Sequence, residues 1–219
     1  MNDPAPVITY VIIAVTVLVS WLGFSDPSFV RQFWFDPRSI LRDKQGYRLI
    51  TSGFLHADWR HLAFNMYSLY LFGSRIELVA GASTFLFLYL VSIIGGSLLS
   101  LFIHRHEEYF ALGASGGACG IMFAYILFFP ENRLGLLFVP IMIPAPIFAV
   151  LFILYSIFGM RTRLGNIGHD AHLGGAIVGL LAAGWLHPEC VRDSPRMFFG
   201  VLILAVGLLV YLVKNPNYR

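Results

Sequence analysis

The stretch TFLFLYLVSIIGGSLLSLFI, residues 84–103, runs for twenty residues without a charged side chain. An α-helix needs about 20 apolar residues to cross the roughly 30 Å hydrocarbon layer of a bilayer. Six further apolar runs lie on either side of it, at residues 7–24, 61–79, 115–129, 141–160, 171–186 and 197–213. The sequence therefore predicts an all-α polytopic membrane protein with seven helices.

The amino-acid composition also indicates a membrane protein. Of its 219 residues, 58% are hydrophobic and 12% are charged, and the mean hydropathy is +0.74. Soluble domains carry roughly 25% charged residues, so this chain has too little polar surface to cover its apolar surface in water. The net charge is +3, but the basic residues form no stripe or tail. We therefore expect the lipid bilayer, and no nucleic acid, as a partner.

A single membrane domain over residues 1–219 is the simplest organisation. The one long connection, residues 25–60, holds six of the fifteen Lys and Arg residues, and there is no internal repeat. The first apolar run lacks the positive start and the cleavage site of a signal peptide, so it is predicted to be a retained transmembrane helix. Cys119 and Cys190 fall near opposite faces of this layout, and we expect no disulfide between them.

Two of the predicted spans, residues 115–129 and 171–186, are short and rich in glycine. Short, glycine-rich segments occur where helix ends stop inside the membrane around a cavity. This pattern places a functional site near Ser115 and Ala171.

Histidine and asparagine occur together at the start of the second span. His61 and Asn65 are four residues apart and therefore share one face of a helix. Such side chains avoid lipid, because each unpaired polar group there costs a few kcal/mol. They could form interhelical hydrogen bonds, or they could donate to a negative charge that develops during a reaction. A metal site is the weaker hypothesis, because Asp58 lies on another face and no third ligand converges.

The fourth span opens with Gly113-Ala114-Ser115-Gly116. Gly116 and Gly120 form a face of small residues that lets another helix approach closely. The pattern is compatible with helix packing alone. The elbow of soluble hydrolases is excluded, because it requires a strand before the serine.

The sixth span opens with Ala171-His172 and carries a matching small face at Gly175 and Gly179. Two helices with small faces can bring a serine and a histidine within hydrogen-bond reach. A serine hydroxyl is a poor nucleophile until a base accepts its proton. The pairing of these two helices favours a serine–histidine dyad over two unrelated packing residues.

In this order and at these helix starts, the motifs resemble those of the rhomboid family of intramembrane serine proteases. The resemblance covers residues 47–179. It rests on Tyr47-Arg48, on His56, His61 and Asn65 at HxxxxHxxxN spacing, on Glu77, on Gly113-Ala114-Ser115-Gly116, and on Ala171-His172-Leu173-Gly174-Gly175.

The resemblance implies a bundle of six helices, about residues 7–187, plus one added C-terminal helix at about 197–213. It implies an intramembrane serine endopeptidase that cleaves transmembrane protein substrates with Ser115 as nucleophile and His172 as general base. The side chains of His61 and Asn65 and the backbone N–H of Ser115 would form the oxyanion hole. No cofactor and no metal are implied. Structural support would come from Arg48, His56, Glu77, Gly113, Gly116, Gly175 and Gly179.

The resemblance also implies a prokaryotic cytoplasmic membrane, with the amino terminus in the cytoplasm. The charge count opposes that orientation, since only Arg75, Arg133, Arg192 and Arg196 would then lie inside. Residues 25–60 carry six of the other eleven basic residues, and this loop can rest in the interface, so we expect the orientation that the resemblance implies.

Several positions depart from the family pattern or leave an alternative open. Cys119 stands where relatives often have an aromatic residue that stacks on the histidine. Asp170 is two residues from His172 and so lies on another helical face, which argues against a triad. His104, His106 and His169 are predicted to be loop residues at the membrane surface. The alternative function is a catalytically weak or inactive rhomboid-like membrane chaperone or scaffold.

Overall fold

The computed structural model describes residues 5–135, 141–165 and 167–215. Its first half contains α1 (Val7–Ser25), the short helices α2 (Pro27–Phe33), α3 (Pro37–Leu41) and α4 (Arg48–Thr51), then α5 (Trp59–Ser68), α6 (Ser74–Ala80) and α7 (Ala82–His104). A π-helical segment, Leu69–Gly73, joins α5 to α6. Its second half contains α8 (Ser115–Phe128), β1 (Arg133–Gly135), β2 (Met142–Pro144), α9 (Ala145–Thr162), α10 (His169–Leu186), α11 (Pro188–Asp193) and α12 (Pro195–Lys214).

The protein is an integral membrane protein built mainly of helices. Among the described residues, α1, α7, α9 and α12 are long and apolar enough to cross a bilayer. The other predicted spans correspond to the α5–α6 segment, α8 and α10. Whether all seven segments cross the membrane stays a prediction, because α8 has only 14 residues and the second segment changes its helical type midway.

The predicted helical membrane fold is confirmed, and the described residues add one short element to it. Before α9 the chain forms a small antiparallel ribbon, in which Leu134 pairs with Ile143. The fifth apolar run was predicted to be helical from residue 141, but α9 begins only at Ala145. Pro144 and Pro146 explain this start, because proline lacks the N–H that a helix interior needs but fits the first turn.

Helix α8 lies at the centre of the molecule, and every residue from Gly116 to Ala124 is buried. It packs against α7 and α10, which also pack against each other. A Cβ atom on Gly175 would collide with the backbone of Gly116, and one on Gly179 would collide with Gly120. The two helices therefore touch backbone to backbone, which holds their amino-terminal ends close together.

The outer helices are anchored on this centre. The Glu77 carboxylate accepts hydrogen bonds from the backbone N–H groups of Ile8 and Thr9, at 2.8 and 2.7 Å, and from the Thr9 hydroxyl at 2.7 Å. These N–H groups belong to the first turn of α1, where no helical carbonyl is available to them. Glu77 thus ties α1 to α6. Helix α12 packs against α9 and α10.

Candidate active site

A cavity of about 1030 Å³ lies at the amino-terminal ends of α8 and α10. Ser115, His172, His61 and Asn65 all line this cavity. They come from three different helices, so only the tertiary fold brings them together. Their shared cavity is the geometric basis for considering them as one site.

Ser115 is the first residue of α8, and its preceding residue, Ala114, offers no side-chain cap to the helix. The first N–H groups of a helix have no partner within it, and the helix dipole makes this end partly positive. Uncapped donors at this position can bind a negative charge. Gly113 precedes them with φ at +138°, and a Cβ atom there would lie 2.7 Å from the His61 ring. Glycine is required at residue 113 on both counts.

His56 holds the backbone just before the serine. Its Nε2 accepts a hydrogen bond from the backbone N–H of Ala114 at 3.2 Å, and its Nδ1 lies 2.9 Å from the Ser20 hydroxyl. Burial lowers the pKa of His56 to about 3, so the ring is neutral and Nε2 is free to accept. The histidine links α1 to the loop that ends at Ser115.

The start of α5 is fixed by Asp58, whose side chain accepts hydrogen bonds from the N–H groups of Arg60 and His61 at 2.8 and 2.9 Å. This cap places His61 on the first turn, with its ring over Gly113. Asn65 is almost fully buried, and its Nδ2 donates to the His61 carbonyl at 3.0 Å. One amide hydrogen of Asn65 is thus held by its own helix, and a second remains for another acceptor.

His172 lies on the first turn of α10, next to two other rings. Phe152 of α9 lies 6.3 Å from it between ring centroids, and His169 lies 6.1 Å from it. Cys119 is buried one turn after Ser115. The aromatic neighbour of His172 therefore comes from α9 and not from residue 119. Within the described residues no hydrogen bond joins the Ser115 hydroxyl to His172; such bonds often tighten only when a substrate is bound.

The long connection is attached to the same region. The buried Arg48 side chain donates from Nη1 to the carbonyls of Arg31 and Trp34, both at 2.9 Å. Phe35 and Ala111 exchange two backbone hydrogen bonds, at 2.8 and 3.2 Å. The loop before Ser115 is therefore paired with the connection that follows α1.

The structure differs from the predicted positions of two histidines. His169 is 2% exposed and belongs to α10, because Gly159 of α9 leaves room for its ring. His104 is the last residue of α7 and lines the cavity instead of lying free at the surface. Sequence reasoning missed Phe152 as the neighbour of His172 and Asp170 as a residue that lines the cavity, since their contacts are with other helices. No group of three or more His, Cys, Asp or Glu side chains suited to a metal occurs among the described residues. Cys119 and Cys190 are free, as predicted.

Comparison with known proteins gives the same family throughout. Residues 43–189 match the rhomboid domain model. The chain is 30% identical to rhomboid protease GluP of Bacillus subtilis over 98% of this chain and 42% of that protein. It is 30% identical to the putative rhomboid protease YdcA of the same organism, over 88% of this chain and 92% of that protein.

A eukaryotic relative is also similar. Mitochondrial rhomboid protein 1 of Saccharomyces cerevisiae is 33% identical over 67% of this chain and 43% of that protein. The chain spans less than half the length of GluP and of the yeast protein. Because the domain model covers most of the chain and YdcA is matched over nearly its whole length, the chain belongs to the rhomboid family.

Proposed function

We propose that the protein is an intramembrane serine endopeptidase that cleaves transmembrane protein substrates with a Ser115–His172 dyad. The observation that carries the proposal is the common cavity lined by Ser115, His172, His61 and Asn65. Support also comes from the family, which includes proteins named as proteases. The bundle would have six spans and one added C-terminal helix, in a prokaryotic cytoplasmic membrane.

The proposed chemistry assigns one step to each group. His172 accepts the hydroxyl proton of Ser115, whose oxygen attacks the carbonyl carbon of the scissile peptide bond. The resulting oxyanion is stabilised by the Ser115 N–H, by the free amide hydrogen of Asn65 and by His61. His172 then returns the proton to the leaving amine, and water hydrolyses the acyl-enzyme by the same route. A dyad without a carboxylate is a known variant of the serine–histidine–aspartate arrangement.

A fluorophosphonate probe tests the proposal, because it reacts covalently only with an activated serine. We expect the purified protein to be labelled and to cleave a reporter transmembrane peptide, and Ser115→Ala to lose both properties. Ser83→Ala is the matched control, since Ser83 is exposed and does not line the cavity. A folded wild-type protein that is neither labelled nor active would favour the alternative of a membrane chaperone or scaffold.

Orientation gives a separate prediction. In a variant with Cys119→Ala and Cys190→Ser, a single cysteine is placed either at Leu164, which is exposed between α9 and α10, or at Asp193 in α11. We expect an impermeant maleimide to label Leu164→Cys on intact bacterial cells and to leave Asp193→Cys unlabelled. The reverse pattern would mean that the cavity opens to the cytoplasm and that the distribution of basic residues sets the orientation.

A further inference from the structure

A cluster of charged and aromatic side chains lies beside the candidate site at the end of α7. His104 Nδ1 is 3.0 Å from a carboxylate oxygen of Glu107, and His104 Nε2 is 3.3 Å from one of Asp170. The ring of Tyr109 stacks on the His104 ring, with 3.7 Å between centroids and 6° between planes. All four residues line the same cavity as Ser115 and His172.

Both ring nitrogens of His104 therefore face carboxylates. A neutral imidazole has one N–H, so one carboxylate would then face a lone pair. The imidazolium has two N–H groups, one for the hydrogen bond to Glu107 and one for the ion pair with Asp170, whose Oδ2 makes no hydrogen bond in the described part of the chain. Asp170 has the greater need of a partner, because it is 5% exposed and an unpaired buried carboxylate is costly. The contacts favour the imidazolium as the bridging form.

Three parts of the chain meet at this bridge. His104 ends α7, Glu107 belongs to the connection that leads to Ser115, and Asp170 lies on the first turn of α10, two residues before His172. The Asp170 side chain is on a different helical face from His172, so it acts on the position of the helix and not on the ring. Gly116 and Gly175 hold the two helices together, so breaking the bridge would leave the connection before Ser115 and the first turn of α10 free to shift at the site.

We infer that His104 is a positioning residue which, by bridging Glu107 and Asp170, holds the starts of α8 and α10 in register for catalysis. The inference rests on the proposed function of Ser115 and His172. A displacement of about 1 Å at a reacting pair can cost on the order of 10² in rate. Loss of the bridge should therefore lower kcat more than it weakens the binding of substrate.

The bridge also predicts a pH dependence. Its bridging form is the protonated ring, so the bridge is complete at low pH and is lost as rising pH removes the proton. The groups that face the ring are Glu107, Asp170 and Tyr109, while Arg163 lies 4.0 Å from Glu107 and His169 adjoins Asp170. Activity is therefore expected to fall on the alkaline side through His104, separately from the acidic limb set by protonation of the general base.

The test compares kcat and KM across pH for the wild type, His104→Gln and His104→Arg. Arginine is planar, stays charged and stacks on aromatic rings, so it can replace the bridge at every pH. We expect His104→Gln to lower kcat about tenfold or more with a smaller change in KM, and His104→Arg to retain activity without the alkaline fall. His106→Gln, at an exposed neighbouring histidine, should match the wild type.

The outcomes separate this inference from the proposed function. If the wild type cleaves the reporter and Ser115→Ala does not, the proposed function stands whatever the His104 variants do. In that case, a His104→Gln variant with wild-type kcat, or an alkaline fall that persists in His104→Arg, would overturn the inference. Should His104→Gln fail to fold, Asp170→Asn provides the second measurement, and wild-type kcat and pH profile in that folded variant would overturn it equally.

Discussion

Replacing His172 by alanine will lower kcat/KM for a reporter peptide by about 10⁴ or more, and replacing Ser115 by alanine will do the same. The reason is that the hydroxyl and its base act as one unit, since neither produces a nucleophile alone. The double variant should therefore be no less active than either single variant. The measurement is cleavage of the reporter by purified protein, with rates followed down to the uncatalysed level.

The control for the first expected result must separate chemistry from folding. His106→Ala removes an exposed histidine and should leave kcat/KM unchanged. Each variant should also show a thermal unfolding midpoint close to that of the wild type, because the backbone contact between α8 and α10 is made by glycines, Gly116 and Gly175 among them, that both variants keep. Substantial cleavage by either single variant would exclude it from the dyad.

The second large effect concerns the donors to the oxyanion. Loss of one preorganised donor costs about 10² to 10³ in kcat. We expect Asn65→Ala to show a loss of this size with little change in KM, because the donor is needed mainly in the transition state. His61→Ala should lose more, since the ring also covers Gly113 at the mouth of the site. Turnover is measured at saturating reporter peptide.

Asn215→Ala is a matched control for Asn65. Its amide also donates to the carbonyl four residues earlier, at 2.8 Å, but the residue does not line the cavity. A loss in Asn65→Ala that Asn215→Ala does not share can be attributed to the site and not to this local hydrogen bond. If Asn65→Ala and His61→Ala both turn over every substrate like the wild type, the two residues serve packing alone.

Local patterns predicted much of the helix arrangement. The run at residues 84–103 lies inside α7, and residues 7–24 correspond to α1, because sustained apolarity is a property of the segment itself. The glycine spacing on α8 and α10 predicted their close contact, because a face of small residues is also a property of each segment itself. The ribbon before α9 escaped prediction, since its apolar residues resemble the helix that follows and only Pro144 and Pro146 mark the boundary.

Contacts between helices were less predictable. His104 and His169 look alike in sequence, as histidines at the edges of apolar runs, yet one bridges two carboxylates and the other fills the space above Gly159. Phe152 reaches His172 from a helix whose rotation no local pattern defines. The matched glycine faces of α8 and α10 favoured a pairing of Ser115 with His172. That His61 and Asn65 join them could be expected only from the resemblance to a family, because spacing along the chain does not determine which other helix end meets these two.

Helix α8 has only 14 residues, and its length determines how deep in the membrane Ser115 would lie. At 1.5 Å per residue the helix is about 21 Å long, so it falls about 9 Å short of a 30 Å hydrocarbon layer. If Phe128 is level with one boundary, Ser115 lies well below the other, at a depth where the hydrocarbon layer contains almost no water. The water that hydrolysis consumes would then have to come from the cavity that Ser115 lines.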